Sequence, residues 1–572
     1  MPSSPLAARL AQLRQQRTAP LILELDLTEG LAETRPTDPI GAFAARNRTA
    51  LPDVLDGLRR ARDDARVTTL VARLGGKPIG LAAVQELRGA IADFAAAGKT
   101  TIAWAESFGE FSASNVQYYL ATAFEQIWLQ PSGDLGLTGI AVERLFLRGV
   151  LDRVGADFQV AKRHEFKSAA EQLTETGFSE PARQATDRLT ASVTEQLVGA
   201  IADRRGLSRD KVSSLIDAGP FLAARAETQG LVDHLGYRDE VYAHAHKHAG
   251  PGAVLLYLGR YQRGKVLAER ARDAFTTMPS SPEPGIAVIY ATGPIRRGRS
   301  GRGPLSGNAM GSDTVGGAIR AAAKDPASRA IVLRVNSPGG SAVASDTIWR
   351  EVVRARATGT PVVVSMGDVA GSGGYYISMA ADVIVAQPGT ITGSIGVITG
   401  KPVLGEAIGR AGVSSDRITH GAHAAMYSQL RPFSEDEWTL VNEWLDHIYA
   451  DFTAKAATGR GMTPEQVNEV ARGRIWSGAD ALANGLVDEL GGLDRAVEIA
   501  RRRAGLGPEA PLRVFPRVNP LDRLRPAASS ESPAAIAASL LADAWGPAWQ
   551  LAARAGLSPY GPLTLPGTWI FE

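Results

Sequence analysis

The chain has 572 residues, of which 44% are hydrophobic and 21% are charged, a balance that is typical of globular proteins. The length exceeds that of one ordinary hydrophobic core, so we expect two or more domains. The 62 Lys and Arg nearly balance the 60 Asp and Glu, which argues against a dedicated nucleic-acid binder, and the absence of cysteine excludes disulfides and thiolate chemistry.

The N-terminal extension, residues 1–18, contains no continuous apolar run of the kind that a signal peptide needs, because arginines and glutamines interrupt it. No later stretch approaches the roughly 20 apolar residues of a membrane-spanning helix. We therefore expect a soluble, cytoplasmic protein, with peripheral contact with a membrane as the alternative.

Short β-branched runs alternate with alanine-rich helical patterns along the chain. This order occurs once in each half, at Thr69–Arg73, Ala82–Ala97 and Thr100–Ala105, and again at Ala330–Val335, Ala344–Ala357 and Pro361–Ser365. Strand, helix and strand in this order predict an α/β fold with parallel sheets and crossover helices.

An internal duplication links the two halves. Tyr118–Pro131 (YYLATAFEQIWLQP) aligns with Tyr375–Pro388 (YYISMAADVIVAQP) at a constant offset of 257 positions, 375 minus 118. The repeat predicts an N-terminal domain at residues 19–258 and a C-terminal domain at 285–518. A helical linker at 259–284 joins them, and a tail at 519–572 carries an apolar helix.

Two glycine-rich turns in the second half suggest a catalytic site. Gly339 and Gly340 follow a buried strand and precede a helix, where backbone N–H groups can approach a developing negative charge. Ser372 lies among glycines at another strand-to-helix turn, and the amide of Gly373 would complete an oxyanion hole. Taken singly, each turn has a plainer interpretation, as an ordinary tight turn and as a helix N-cap serine.

The motifs RVNSPGGS, GSGGYYIS and TGSIGV together resemble the long form of the signal peptide peptidase A family, also called protease IV. The resemblance covers roughly Leu21 to Val514. It implies a tandem crotonase-like, ClpP-like fold and a serine endopeptidase whose nucleophile is Ser372. In that family a lysine of the N-terminal half is the general base, which here matches Lys167 in Phe166–Ala169 (FKSA). Ser394 of TGSIGV would orient the amine of that lysine.

The repeat agrees with one site shared between the two halves. The position that matches Ser372 in the first copy is Asn115, and the position that matches Ser394 is Leu137. The second copy offers no lysine where the first has Lys167. The plainer alternative for Lys167 is a solvated surface lysine.

The resemblance further implies peptide substrates, such as signal peptides and other unfolded apolar segments, and assembly into a homotetramer. We expect no cofactor, no metal and no nucleic-acid partner. The histidine-rich tract His244–His248 is only a weak metal candidate, since no carboxylate cluster accompanies it. Two other functions use the same fold: a crotonase-type enzyme acting on acyl-CoA thioesters, and a non-catalytic scaffold that organises membranes.

Overall fold

The structure is a computed structural model that describes residues 18–35, 49–276, 283–303, 307–516 and 562–565. The apolar helix predicted in the tail lies outside the described residues, as does nearly all of the N-terminal extension. None of the helices in these ranges combines the length and the apolar character needed to cross a bilayer.

The strands of the described ranges, in chain order, are β1 Leu21–Asp26, β2 Leu31–Ala32, β3 Thr49–Ala50, β4 Val67–Arg73, β5 Thr100–Ala105, β6 Gln126–Leu129, β7 Asp134–Leu135, β8 Asp157–Lys162, β9 Phe221–Leu222, β10 His234–Leu235, β11 Val254–Tyr257, β12 Gly285–Thr292, β13 Ile295–Arg296, β14 Gly301–Gly303, β15 Gly307–Gly311, β16 Ser328–Ser337, β17 Gly339–Gly340, β18 Val362–Gly371, β19 Val383–Ala386, β20 Ile391–Gly393, β21 Ile398–Val403, β22 Ile475–Ser477, β23 Glu489–Leu490, β24 Leu512–Phe515 and β25 Leu563–Thr564.

The helices, in the same order, are α1 Leu51–Asp63, α2 Leu81–Ala96, α3 Asn115–Ala121, α4 Arg148–Val154, α5 Glu171–Thr174, α6 Glu180–Arg205, α7 Arg209–Ala218, α8 Ala223–Thr228, α9 Arg238–Ala249, α10 Leu258–Thr276, α11 Ser312–Lys324, α12 Ala342–Ala357, α13 Gly373–Ser378, α14 Gly405–Arg410, α15 Glu435–Arg460, α16 Pro464–Val470, α17 Gly478–Ala483 and α18 Leu493–Arg503.

The chain folds into two compact units that do not follow each other as simple blocks of sequence. The first unit contains the chain up to Ala141 and resumes at Val193, whereas Val142–Ser192 packs into the second unit with the residues from 283 onward. Within the second unit, β8 from this early segment pairs antiparallel with β21. The segment that carries Lys167 is therefore part of the second unit.

The main sheets of the two units have the same strand order. The first sheet runs β10-β6-β5-β4-β1-β11, and the matching path in the second unit runs β23-β19-β18-β16-β12-β24, with every pair along both paths parallel. In the second unit, β18 continues past this path to pair with β20, and β22 joins that edge antiparallel. The common order confirms the tandem duplication and the α/β class predicted from the sequence.

The second unit's sheet is covered on both faces, which explains why its strands are almost continuously apolar. Along β12, Ile286 and Val288 face one layer and pack with the apolar side of α18. Ala287 and Ile289, which alternate with them, face the larger core on the other side of the sheet. This rigid double-sided core holds the carboxyl ends of β16 and β18, where the two glycine-rich turns begin.

Candidate active site

Ser372 lies at the turn between β18 and α13. Its backbone takes a φ of +54° and a ψ of −114°, a conformation that residues other than glycine rarely adopt. The Ser372 N–H donates to the Gly393 carbonyl at 2.8 Å and helps to hold this geometry. In this described turn the hydroxyl makes no capping hydrogen bond to the helix, so the N-cap interpretation does not account for it.

The Ser372 hydroxyl instead contacts a lysine that is distant in the sequence. Lys167 lies between β8 and α5, 205 positions from Ser372, and its Nζ is 2.8 Å from Ser372 Oγ. Both side chains are fully buried. The surface-lysine alternative for Lys167 is therefore wrong, and the two residues singled out by the sequence meet inside one unit.

The burial of Lys167 changes its protonation. Removing the amine from water disfavours its charged form, and this desolvation lowers the pKa of Lys167 well below its usual range. A lysine with a lowered pKa has a larger neutral fraction near neutral pH, and only the neutral amine can accept a proton.

Ser394 completes the surroundings of the amine. Lys167 Nζ lies 3.0 Å from Ser394 Oγ and 3.2 Å from the Ser394 carbonyl oxygen. Ser394 is itself buried and has a positive φ of +50°, and its N–H donates to the Arg474 carbonyl at 2.7 Å. With Ser372 Oγ, the amine thus has three oxygen neighbours, a number that matches its hydrogen-bonding capacity.

Gly473 supports the backbone of Lys167, a role that nothing in the sequence indicated. Its φ is +83°, and a Cβ built on it would lie 2.6 Å from the Lys167 amide nitrogen. The neighbouring Arg474 guanidinium lies 5.0 Å from the centre of the Phe166 ring. A loop far along the chain therefore packs directly on the FKSA segment.

The two glycine-rich turns predicted to form the oxyanion hole lie close to each other beside the serine. A Cβ on Gly339 would lie 2.7 Å from the Gly373 amide nitrogen, so these two turns are in close contact. The Gly339 N–H donates to Ser337 Oγ at 3.1 Å, which directs it away from a substrate. Gly340 lies in β17 and Gly373 in the first turn of α13, so these two amides remain the candidates among the three predicted glycines.

The first unit has no equivalent chemistry at the matching position. Asn115 is buried there, and its side-chain amide donates to the Gly139 carbonyl at 2.9 Å. Its Oδ1 accepts from the N–H groups of Thr138 and Gly139, each at 3.0 Å. These hydrogen bonds make Asn115 a structural residue of its turn. The position that matches Ser394 is the buried Leu137.

The histidine tract lies on α9 in the first unit. The His244 ring packs against Trp128, with centroids 5.2 Å apart, and against His248 at 4.5 Å. Across the described ranges, no group of three or more His, Asp or Glu side chains is arranged to hold a metal ion.

Comparison with known proteins places this chain among the serine-type peptidases. The model of the family described as "Peptidase family S49" matches residues 93–251 and 354–507, more than half of the chain. The chain belongs to peptidase family S49. This agrees with the resemblance found in the motifs and with a duplicated ClpP-like fold.

Several curated relatives align over most of the chain. "Serine protease SPPA, chloroplastic" from Arabidopsis thaliana is 32% identical over 80% of this chain and 66% of its own length. "Protease 4" from Salmonella typhi is 33% identical over 82% of this chain and 74% of its own length. "Protease 4" from Haemophilus influenzae is 32% identical, with shares of 79% and 72%. Among solved structures, a mutant of ClpP1 from Listeria monocytogenes matches with a TM-score of 0.24 and 17% identity, over 37% of this chain and 94% of that one.

Proposed function

We propose that this protein is a serine endopeptidase that works through a Ser372/Lys167 dyad. The observation that carries the proposal is the 2.8 Å contact between Lys167 Nζ and Ser372 Oγ, in a site where burial lowers the pKa of the lysine. A neutral amine at hydrogen-bond distance from a hydroxyl meets the basic requirement for an activated nucleophile.

The reaction would proceed in two stages. Lys167 takes the Ser372 proton as Oγ attacks the peptide carbonyl, and the amides of Gly340 and Gly373 stabilise the oxyanion. The resulting ammonium, held by Ser394, gives its proton to the leaving amine, which yields an acyl-enzyme. Water then attacks the ester with Lys167 again as the base, and the acid product leaves.

The substrates would be extended peptides, such as signal peptides and other unfolded apolar segments, as the motif resemblance implies. The strand beside Ser372 supports this class, because β17 pairs antiparallel with an extended segment, β25. The homotetramer and the cytoplasmic location stay predictions, which sedimentation velocity and cell fractionation would test.

A fluorophosphonate that reacts with activated serines provides the direct test. We expect it to label Ser372, as mapped by peptide mass spectrometry, and to inhibit peptide hydrolysis. The Ser372→Ala variant should lose both labelling and hydrolysis while its circular dichroism spectrum stays that of the wild type. Acyl-CoA thioester hydrolysis serves as the comparison. Faster turnover of thioesters than of peptides, or full peptidase activity in Ser372→Ala, would contradict the proposal.

A further inference from the structure

A short piece of the chain's own C-terminal region lies on β17, the strand that carries Gly340, one of the proposed oxyanion-hole donors. The segment Pro562–Leu565 contains β25, which pairs antiparallel with β17 on its edge. Gly339 lies opposite Thr564, and Gly340 lies opposite Leu563. Adding a strand to a free sheet edge is one of the recurring ways in which proteins bind extended peptides.

Backbone hydrogen bonds hold this segment on both sides. The Leu565 N–H donates to the Pro338 carbonyl at 2.8 Å. On the opposite side, the Ile398 N–H donates to the Pro562 carbonyl at 3.0 Å. The segment therefore makes backbone hydrogen bonds with two stretches of the second unit, one at Pro338 and one at Ile398, as a bound extended peptide would.

The Leu563 carbonyl lies close to the turn of Gly373, one of the proposed oxyanion-hole donors. A Cβ on Gly339 would be 2.0 Å from the Leu563 carbonyl oxygen and 2.7 Å from the Gly373 amide nitrogen, so the oxygen and this amide share one small region. That region adjoins Ser372. A scissile carbonyl of a substrate has to occupy this place.

The side chains of the segment are buried beside the nucleophile. Leu563 is 0% exposed and Leu565 is 2% exposed. A Cβ on Gly371, the residue before Ser372, would lie 2.4 Å from Leu565 Cδ1, so the leucine occupies space that the glycine leaves open. Since alternate residues of a strand face the same side, the cleft takes apolar side chains at positions two apart.

We propose that Pro562–Leu565 is a tethered inhibitor that occupies the peptide cleft in cis and competes with extended substrates bearing apolar residues at alternate positions. This inference rests on the proposed function, because it assigns an occupant to the same cleft. Because the occupant belongs to the same chain, its binding is intramolecular, and a free peptide must compete with it continuously.

The way the segment is held explains how it resists its own cleavage. Attack of Ser372 Oγ on the Leu563 carbonyl carbon would form an ester and expel the Thr564 amine, protonated by Lys167. The Leu565 N–H bond to Pro338 and the buried Leu565 side chain would keep that amine beside the ester. Re-formation of the peptide bond would then outrun the attack of water, and the segment would remain as an intact inhibitor.

The test compares the full chain with two variants: a chain ending at Gly561, and the full chain with both Leu563→Asp and Leu565→Asp. We expect fluorophosphonate labelling of Ser372 to be about tenfold or more faster in both variants, because two buried leucines no longer hold the segment in the cleft. The KM for a short peptide should fall while kcat stays unchanged. A synthetic heptapeptide with the sequence of residues 561–567 (GPLTLPG) should slow labelling of the shortened chain, and the same peptide with both leucines replaced by aspartate should not.

Val413→Asp is the matched control, since Val413 is 55% exposed on the second unit, and it should label at the wild-type rate. Equal labelling rates in the full and shortened chains would overturn the inference. So would an intact mass showing that the purified full chain ends at Leu563 only when Ser372 is present, because the segment would then be a substrate. If no variant is labelled, the proposed function fails, and fluorescence anisotropy of the heptapeptide on the shortened Ser372→Ala chain decides the inference: no binding overturns it.

Discussion

Replacing Ser394 with alanine removes one of three oxygen atoms around the Lys167 amine. The hydroxyl lies 3.0 Å from Nζ, and Ser372 Oγ and the Ser394 carbonyl remain at 2.8 Å and 3.2 Å. When Lys167 accepts the serine proton it becomes an ammonium with three N–H donors and needs three acceptors, whereas the neutral amine has only two N–H groups to place. The lost hydroxyl therefore destabilises the charged state more than the neutral one.

A hydrogen bond to a charged group contributes roughly 1.5–3 kcal/mol. Since about 1.4 kcal/mol corresponds to a factor of ten in rate, kcat should fall about 10- to 150-fold in Ser394→Ala. The pKa of Lys167 should also fall further, because the ammonium has lost a partner. The rising limb of the kcat profile should accordingly move to lower pH while its plateau drops.

The assay is peptide hydrolysis from acid to alkaline pH, with kcat and KM determined at each point. Ser378→Ala is the matched control, because Ser378 is equally buried but its hydroxyl donates to the Gly374 carbonyl of its own helix at 2.7 Å. The control should keep the wild-type midpoint. A Ser394→Ala profile with unchanged kcat, or with a midpoint moved toward alkaline pH, would refute this role for Ser394.

Three further predictions concern Lys167 and its support. Lys167→Arg should be inactive at every pH, because a guanidinium does not deprotonate in this range; measurable turnover in a pH series would contradict a lysine base. Lys167→Met should unfold at higher urea concentration than the wild type at neutral pH. This difference in stability should shrink as the pH approaches the unfolded-state lysine pKa of about 10.4. The reason is that the unfolded wild type binds a proton that the buried amine of the folded chain does not bind. A difference in stability that does not change with pH would argue against a buried neutral amine. Gly473→Ala should lower kcat more than it raises KM, because the added Cβ would press on the Lys167 backbone. Gly359→Ala is the control: its φ is equally positive but its Cβ meets open space, so this variant should lose stability alone. Equal losses of kcat in the two variants would count against a positioning role for Gly473.

Local features of this protein could be predicted from the sequence because neighbouring residues determine them. Alternating strand and helix patterns predicted the α/β class, and the offset of 257 positions predicted the duplication, which the common strand order of the two sheets confirms. The glycines around Ser372 likewise predicted a tight strand-to-helix turn, since backbone conformation there depends on adjacent residues. Lys167 was identified only through its family motif, because nothing in its immediate sequence distinguishes it from a surface lysine.

The tertiary structure decided which distant residues meet. The chain path takes Val142–Ser192 out of the N-terminal half and into the second unit, which brings Lys167 to Ser372 across 205 positions. The same path places Gly473 against the lysine and Leu563 against Gly339. Such contacts join segments whose own sequences are equally compatible with other partners, and burial in a single folded core selects among them. The lowered pKa of Lys167 follows from this burial, so it too is a property of the folded chain and not of the FKSA motif.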